Sequence, residues 1–230
     1  MGKYFGTDGF RGEANVNLTA DHAFNVGRFL GWYYTQLKRR SGSDGAARSV
    51  IGKDTRRSSY MFEYSLVGGL VASGADAYML HVTTSPSVAY VVRTDGFDCG
   101  IMISASHNPY YDNGIMLIYS FGEKMDEGIF SLVEQYLDGE LEAFGRKWEE
   151  LPLAHKEQIG RTVDYVAGRN RYIGYLISLG MYSLTYLSPT LVLAYPIPSS
   201  SKALYRPKLD ITVVTTVLPR SLPRSFMYLP

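Results

Sequence analysis

Across the first 140 residues, short apolar runs alternate with stretches whose apolar residues recur at helical spacing, and polar, glycine-rich segments separate them. A chain patterned this way buries its strands between helices, so the fold class it predicts is a layered α/β domain. Thr19 is placed to cap a helix in which Ala23, Val26, Leu30, Tyr33 and Leu37 form one stripe, ending before the Gly/Ser-rich stretch 41–46. Val50-Ile51-Gly52 reads as a strand, and Phe62, Leu66, Leu70 and Ser73 mark the helix that follows, up to Gly74. Ala77 to Val82 is the next strand, Pro86 opens a short helix through Arg93, and Cys99 to Ser104 is a third strand. Ile115 to Tyr119 returns as a strand, and Ile129, Leu132, Val133, Tyr136 and Leu137 line a helix closing at Gly139.

Composition narrows the class. The 230 residues hold 23 Lys+Arg against 22 Asp+Glu, a balance that argues against a dedicated nucleic-acid binder. No apolar run has the length of a membrane span, and the opening Met1-Gly2-Lys3-Tyr4-Phe5-Gly6 has neither a signal-peptide core nor a myristoylation pattern, so no membrane partner is expected. A single cysteine, Cys99, excludes an internal disulfide and a cysteine-based zinc site, and a cytoplasmic location is the expectation.

The balance breaks near residue 181. Up to Gly180 the chain carries 18 basic and 21 acidic residues, whereas residues 181–230 hold five basic residues, the single acid Asp210 and seven of the ten prolines. Residues 183–230 therefore read as an atypical, basic, Pro/Ser-rich tail. Two readings of it stand: an extended, partly disordered tail, or a stretch never selected to fold here, as after a shift of reading frame.

Three polar loops carry the candidate chemistry. Gly6-Thr7-Asp8-Gly9-Phe10-Arg11-Gly12 gathers three glycines around one arginine, which suits a phosphate cradle and equally a plain turn. Asp54-Thr55-Arg56-Arg57-Ser58-Ser59 lies where a strand hands over to a helix, an anion site or simply a capped helix start. Ser104-Ala105-Ser106-His107-Asn108-Pro109 places two hydroxyls and an imidazole directly after an apolar strand, and Pro109 keeps Asn108 out of helical geometry. A serine hydrolase accounts for it poorly, since no Gly-x-Ser-x-Gly elbow is present. Physical reading alone stops at an α/β protein with an anion site.

In this order and spacing, the three loops resemble the first domain of the α-D-phosphohexomutase family: Gly-Thr-Asp-Gly-x-Arg-Gly at Gly6 to Gly12, Gly-Arg-Asp-Thr-Arg-x-Ser at Gly52 to Ser58, and the phosphoserine loop with its Asp-Asn-Gly at Ile103 to Gly114. The opening Gly-Thr-Asp-Gly most resembles the bacterial phosphoglucosamine mutase branch. The resemblance implies that Ser106 carries a phosphoryl group, that His107 and Asn108 position its oxygens and the incoming hydroxyl, and that Arg11 stabilises its charge, with Thr7 and Arg56 as further phosphate-binding residues. A small phosphosugar is then the partner. Mg²⁺ is the implied cofactor, held through the Ser106 phosphate together with aspartates of an Asp-Gly-Asp-x-Asp-Arg loop.

That aspartate loop is absent from these 230 residues, and Met116 stands where the family usually has a lysine after Asp-Asn-Gly-Ile. Family members run to roughly twice this length in about four domains of ordinary size. The organisation that the resemblance implies is a layered α/β/α phosphohexomutase domain I with a mixed sheet over 1–140, a linker and the start of a second domain over 141–182, and the tail over 183–230. The expected activity is interconversion of hexosamine 6- and 1-phosphates through a bisphosphate, impaired in this chain; the alternative is a phosphate-binding fragment without catalysis.

Overall fold

The computed structural model describes residues 2–143, 146–147, 151–187, 192–193 and 213–214. By its internal contacts the chain divides into two units, Met1–Ile173 and Gly174–Pro230. Most of the tail lies outside the described residues.

The first unit is built on a seven-stranded sheet. β1 (Phe5–Gly6) and β2 (Gly9–Glu13) form a tight hairpin, and β2 pairs antiparallel with β6 (Asp112–Tyr119). β6 in turn lies antiparallel to β5 (Cys99–Ile103), while β3 (Arg48–Lys53), β4 (Asp76–Val82) and β9 (Thr162–Asp164) continue the sheet in parallel, giving the order β1-β2-β6-β5-β3-β4-β9. The sheet is mixed, as the family resemblance implied.

Side-chain alternation divides the core between the two faces. Ile101, Ile103, Ile115 and Leu117 join the larger core with α1 (Ala20–Arg40), α2 (Arg57–Ala72) and α4 (Glu127–Leu137), whereas Met102 and Ile118 pack with Val88, Val91 and Val92 of α3 (Ser85–Thr94). Thr19 caps α1 by accepting from the His22 backbone N–H, and the His22 ring accepts from the Thr19 N–H, a reciprocal box with histidine in the place usually held by glutamate. Asp126 caps α4 through the Gly128 and Ile129 amides. These helices begin where their caps and periodicity place them.

Three features differ from the sequence reading. The Gly6–Gly12 segment is mostly hairpin, with only Thr7 and Asp8 between its strands, because Phe5 just before it and Phe10 within it bury in the larger core and draw the backbone into the sheet. Two more strands, β7 (Glu142–Ala143) and β8 (Arg146–Lys147), form a short hairpin after α4. A long helix, α5 (Val166–Leu187), runs across the expected boundary at 182. It shows little amphipathic contrast, which is why periodicity did not reveal it. The remaining described elements of the second unit are β10 (Val192–Leu193) and β11 (Val213–Val214), paired antiparallel.

Candidate active site

The three polar loops converge at one end of the sheet, outside the carboxyl ends of the parallel strands β3 and β5, where open α/β sheets place their ligands. Register brings them together. Arg11 of β2 stands opposite Gly114 of β6, the Asp54 amide after β3 donates to the Ile103 carbonyl of β5, and the Ser104 amide donates to the Gly114 carbonyl. A side chain at Gly114 would meet the Ser104 carbonyl at 2.7 Å and Arg11 Cγ at 3.0 Å, so only glycine lets the strand and the two loops close.

Ser106 is exposed and holds φ +54°, the left-handed region that a residue with a side chain seldom adopts. Its amide donates to Ser104 Oγ at 3.1 Å. Of the two serines, Ser104 is thus engaged as a local acceptor and half-buried, while Ser106 is turned to solvent. His107 is also exposed. Asn108 is half-buried, its side-chain oxygen accepting from Arg11 Nη1 at 3.3 Å and its amide donating to Asp112 Oδ2 at 3.0 Å. Asn108 therefore ties the loop to β2 and β6.

Arg11 keeps one polar atom unspent. Its Nη2 lies 3.5 Å from Asp8 Oδ2 and its Nε is buried with no hydrogen-bond partner among the described residues. Asp8 also receives Lys124 Nζ at 2.8 Å, and its carboxyl is held below the usual range first by that hydrogen bond and then by the charges of Lys124, Arg11 and His107. Thr7 stands exposed in the same turn. Lys124 was not legible as part of this region, since it reaches Asp8 from far along the chain and no local pattern announces that contact.

Arg56, expected on phosphate, has a different setting. Its Nε donates to Asp54 Oδ2 at 2.9 Å, its Nη1 donates to the carbonyls of Pro109 and Asp112, and its Nη2 donates to the carbonyls of Ser106 and Asn108 at 2.9 Å each. All five N–H groups of the guanidinium are spent within the chain, so none is left for a phosphate oxygen. Asp54 is held in turn by the Arg56 amide and the Ser59 hydroxyl, and the fully buried Asn113 donates to the hydroxyls of Ser58 and Ser59. Asp54, Asp112 and Asn113 were quoted in the sequence motifs, but spacing alone gave them no role.

Met116 pairs with Met102 across β5 and β6 and lies half-buried against the core under α3. It brings neither a donor nor a charge to the loops. As for Mg²⁺, the carboxylates in this region, Asp8, Asp54 and Asp112, are engaged by Lys124 and Arg11, by Arg56, and by Asn108. No group of three or more His, Cys, Asp or Glu side chains able to hold a metal occurs among the described residues. These residues do not fit a protein-ligated Mg²⁺.

The profile of the phosphoglucomutase/phosphomannomutase alpha/beta/alpha domain I matches residues 2–143. The chain belongs to that family. It is 69% identical over 183 residues to a protein of Lachnospira eligens named phosphoglucosamine mutase, covering 80% of this chain and 38% of the relative. A phosphoglucosamine mutase of Lachnoclostridium phytofermentans is 61% identical over 194 residues, covering 84% and 40%. The chain thus spans about two-fifths of the length of these relatives. A crystal structure of a phosphoglucomutase/phosphomannomutase family protein from Burkholderia thailandensis shares the fold, with TM-score 0.57 and 22% identity over 76% of this chain and 35% of that one. Among the described residues, no helix is long and apolar enough to cross a membrane.

Proposed function

We propose that this chain is the phosphoserine-bearing part of a phosphoglucosamine mutase, with glucosamine 6-phosphate and glucosamine 1-phosphate as its sugars. The observation that carries the reading is the exposed, left-handed Ser106 at the carboxyl end of β5. Kinship to proteins named phosphoglucosamine mutase supplies the substrate class.

In this reading the phosphoryl group leaves Ser106 Oγ for the free hydroxyl of the bound hexosamine monophosphate. The Ser106 O–P bond breaks, a new O–P bond forms on the sugar, the sugar hydroxyl gives up its proton, and the serine oxygen is left to be re-protonated. The bisphosphate then turns around and returns its other phosphoryl group to Ser106. A serine ester suits the task, being inert in water until its charge is neutralised and the acceptor is in line. Arg11 and the exposed His107 are the polar groups that would meet the phosphoryl oxygens, with Thr7 at the rim, and Asn108 orients Arg11. With no carboxylate set that fits Mg²⁺ among the described residues and with Met116 in place of an ammonium, the isolated chain is expected to accept phosphate readily and turn over slowly.

Incubation with glucosamine 1,6-bisphosphate or glucose 1,6-bisphosphate, followed by intact-mass measurement and peptide mapping, tests the reading. Phosphate on Ser106, absent in Ser106→Ala, is the expected result. Phosphate on Ser104 with none on Ser106 would overturn it.

A further inference from the structure

We propose that Arg56 is a positioning residue for phosphoryl transfer: it does not touch the substrate, and instead fixes the Ser106 loop in the conformation that presents the hydroxyl. The inference rests on the phosphoserine reading above.

The two peptide planes flanking Ser106 are pinned from different sides. Its N–H is held by Ser104 Oγ at 3.1 Å, and its C=O accepts from Arg56 Nη2 at 2.9 Å. With both neighbours of the Cα fixed, φ and ψ of Ser106 are fixed, and φ stays at +54° against the intrinsic preference of a serine. The same Nη2 takes the Asn108 carbonyl, and Nη1 takes those of Pro109 and Asp112, so one planar cation organises four carbonyls spread over seven residues. Three amides of the segment close on the loop itself: Ser106 to Ser104, Asn108 to the Ala105 carbonyl, and Asp112 to the Pro109 carbonyl.

The plane of the fork is itself set. Asp54 Oδ2 holds Nε, while Asp54 Oδ1 accepts from the Arg56 amide and the Ser59 hydroxyl at the start of α2. Sheet, helix and loop therefore meet at one side chain that is only 12% exposed. A lysine could offer three donors on a swivelling ammonium, which neither match four carbonyls nor keep a plane. A residue that bound the substrate phosphate would need an N–H to spare, and Arg56 has none.

The test compares wild-type chain with Arg56→Lys, Arg56→Ala and Ser104→Ala, the last removing the opposite pin without altering the arginine. Amide hydrogen exchange at Ser106, Asn108 and Asp112 should quicken by about tenfold or more in Arg56→Lys while the amides of α1 and β3 keep their protection. At saturating glucose 1,6-bisphosphate the rate of Ser106 phosphorylation should fall by about a hundredfold, with the half-saturating concentration changed by less than about threefold. Guanidinium ion at a non-denaturing concentration should restore part of the rate in Arg56→Ala, and methylammonium should not. A raised half-saturating concentration with an unchanged maximal rate would make Arg56 a substrate contact and overturn the proposal. Unchanged loop exchange in Arg56→Lys would overturn it too, whether or not Ser106 takes phosphate. If the wild-type chain takes no phosphate, the phosphoserine reading fails, and the exchange data still decide the role of Arg56. Should the Arg56 variants fail to fold, Ser104→Ala decides: quickening confined to the Ser106 amide, with Asn108 and Asp112 still protected, shows that the arginine holds the rest of the loop, and quickening of all three amides refutes it.

Discussion

Lys53 ends β3 one residue before Asp54, and its ammonium forms an ion pair with Glu63 of α2 while lying 4.0 Å over the Tyr60 ring. The two side chains are 2% and 1% exposed. Lys53→Met keeps most of the stem's volume and removes the charge, so the consequence is an uncompensated carboxylate in the core. Glu63 Oε1 has no hydrogen-bond partner among the described residues, and its other basic neighbour is His81 Nδ1 at 3.8 Å, too far to replace the ammonium. Breaking a buried pair from one side costs about 3–5 kcal/mol. Loss of the contact with Tyr60 adds up to about 1 kcal/mol. For a unit of this size each kcal/mol lowers Tm by about 2–4 °C, which places the expected fall between about 6 and about 24 °C. Lys53→Met combined with Glu63→Leu removes both charges and should recover most of the loss, because the desolvation penalty vanishes with the pair. Urea unfolding followed by circular dichroism, with calorimetry alongside, measures both variants. A loss below about 1 kcal/mol in Lys53→Met, or a double variant no more stable than the single one, would refute the reasoning, since neither fits a carboxylate whose burial depends on its partner.

Two further perturbations follow from packing and titration. A Cβ on Gly69 would lie 2.0 Å from the Phe24 carbonyl oxygen and 2.7 Å from the Arg28 amide nitrogen, both backbone, so Gly69→Ala forces α1 and α2 apart and should cost about 3 kcal/mol or more in urea unfolding, at the upper end of overpacking costs. Burial pushes the Cys99 thiol up to about 12, with the hydrogen bond it shares with Ser49 opposing the shift. Because the folded-state pKa lies above that of the unfolded chain, the stabilisation is complete below about pH 8.5 and is lost as pH rises toward the folded value. The urea midpoint of wild type should therefore fall more steeply between pH 9 and pH 11 (both about the window set by those two pKa values) than that of Cys99→Ala, and equal slopes would refute the assignment.

Much of the fold was legible because its signals are local. Thr19 with its stripe through Leu37, Pro86 at the start of α3 and the apolar run from Cys99 declare their elements within a few residues, and strand–helix alternation then leaves few architectures. The three loops were legible as candidates, and Ser106 was singled out by resemblance. Long-range contact was not. Nothing near Phe5 or Phe10 says that the glycine-rich segment becomes an edge hairpin, because that depends on the core it joins. Arg56 as a phosphate ligand and Arg56 as the clamp of the Ser106 loop are the same letters in the sequence. Only the register of β3, β5 and β6 brings the carbonyls of Ser106, Asn108, Pro109 and Asp112 within reach of its fork, some fifty residues along the chain. Sequence determines which groups a chain can offer; the packed sheet decides which are consumed in holding the loop and which, like the Ser106 hydroxyl, remain turned to solvent, because a donor satisfied inside the fold has nothing left to give a ligand.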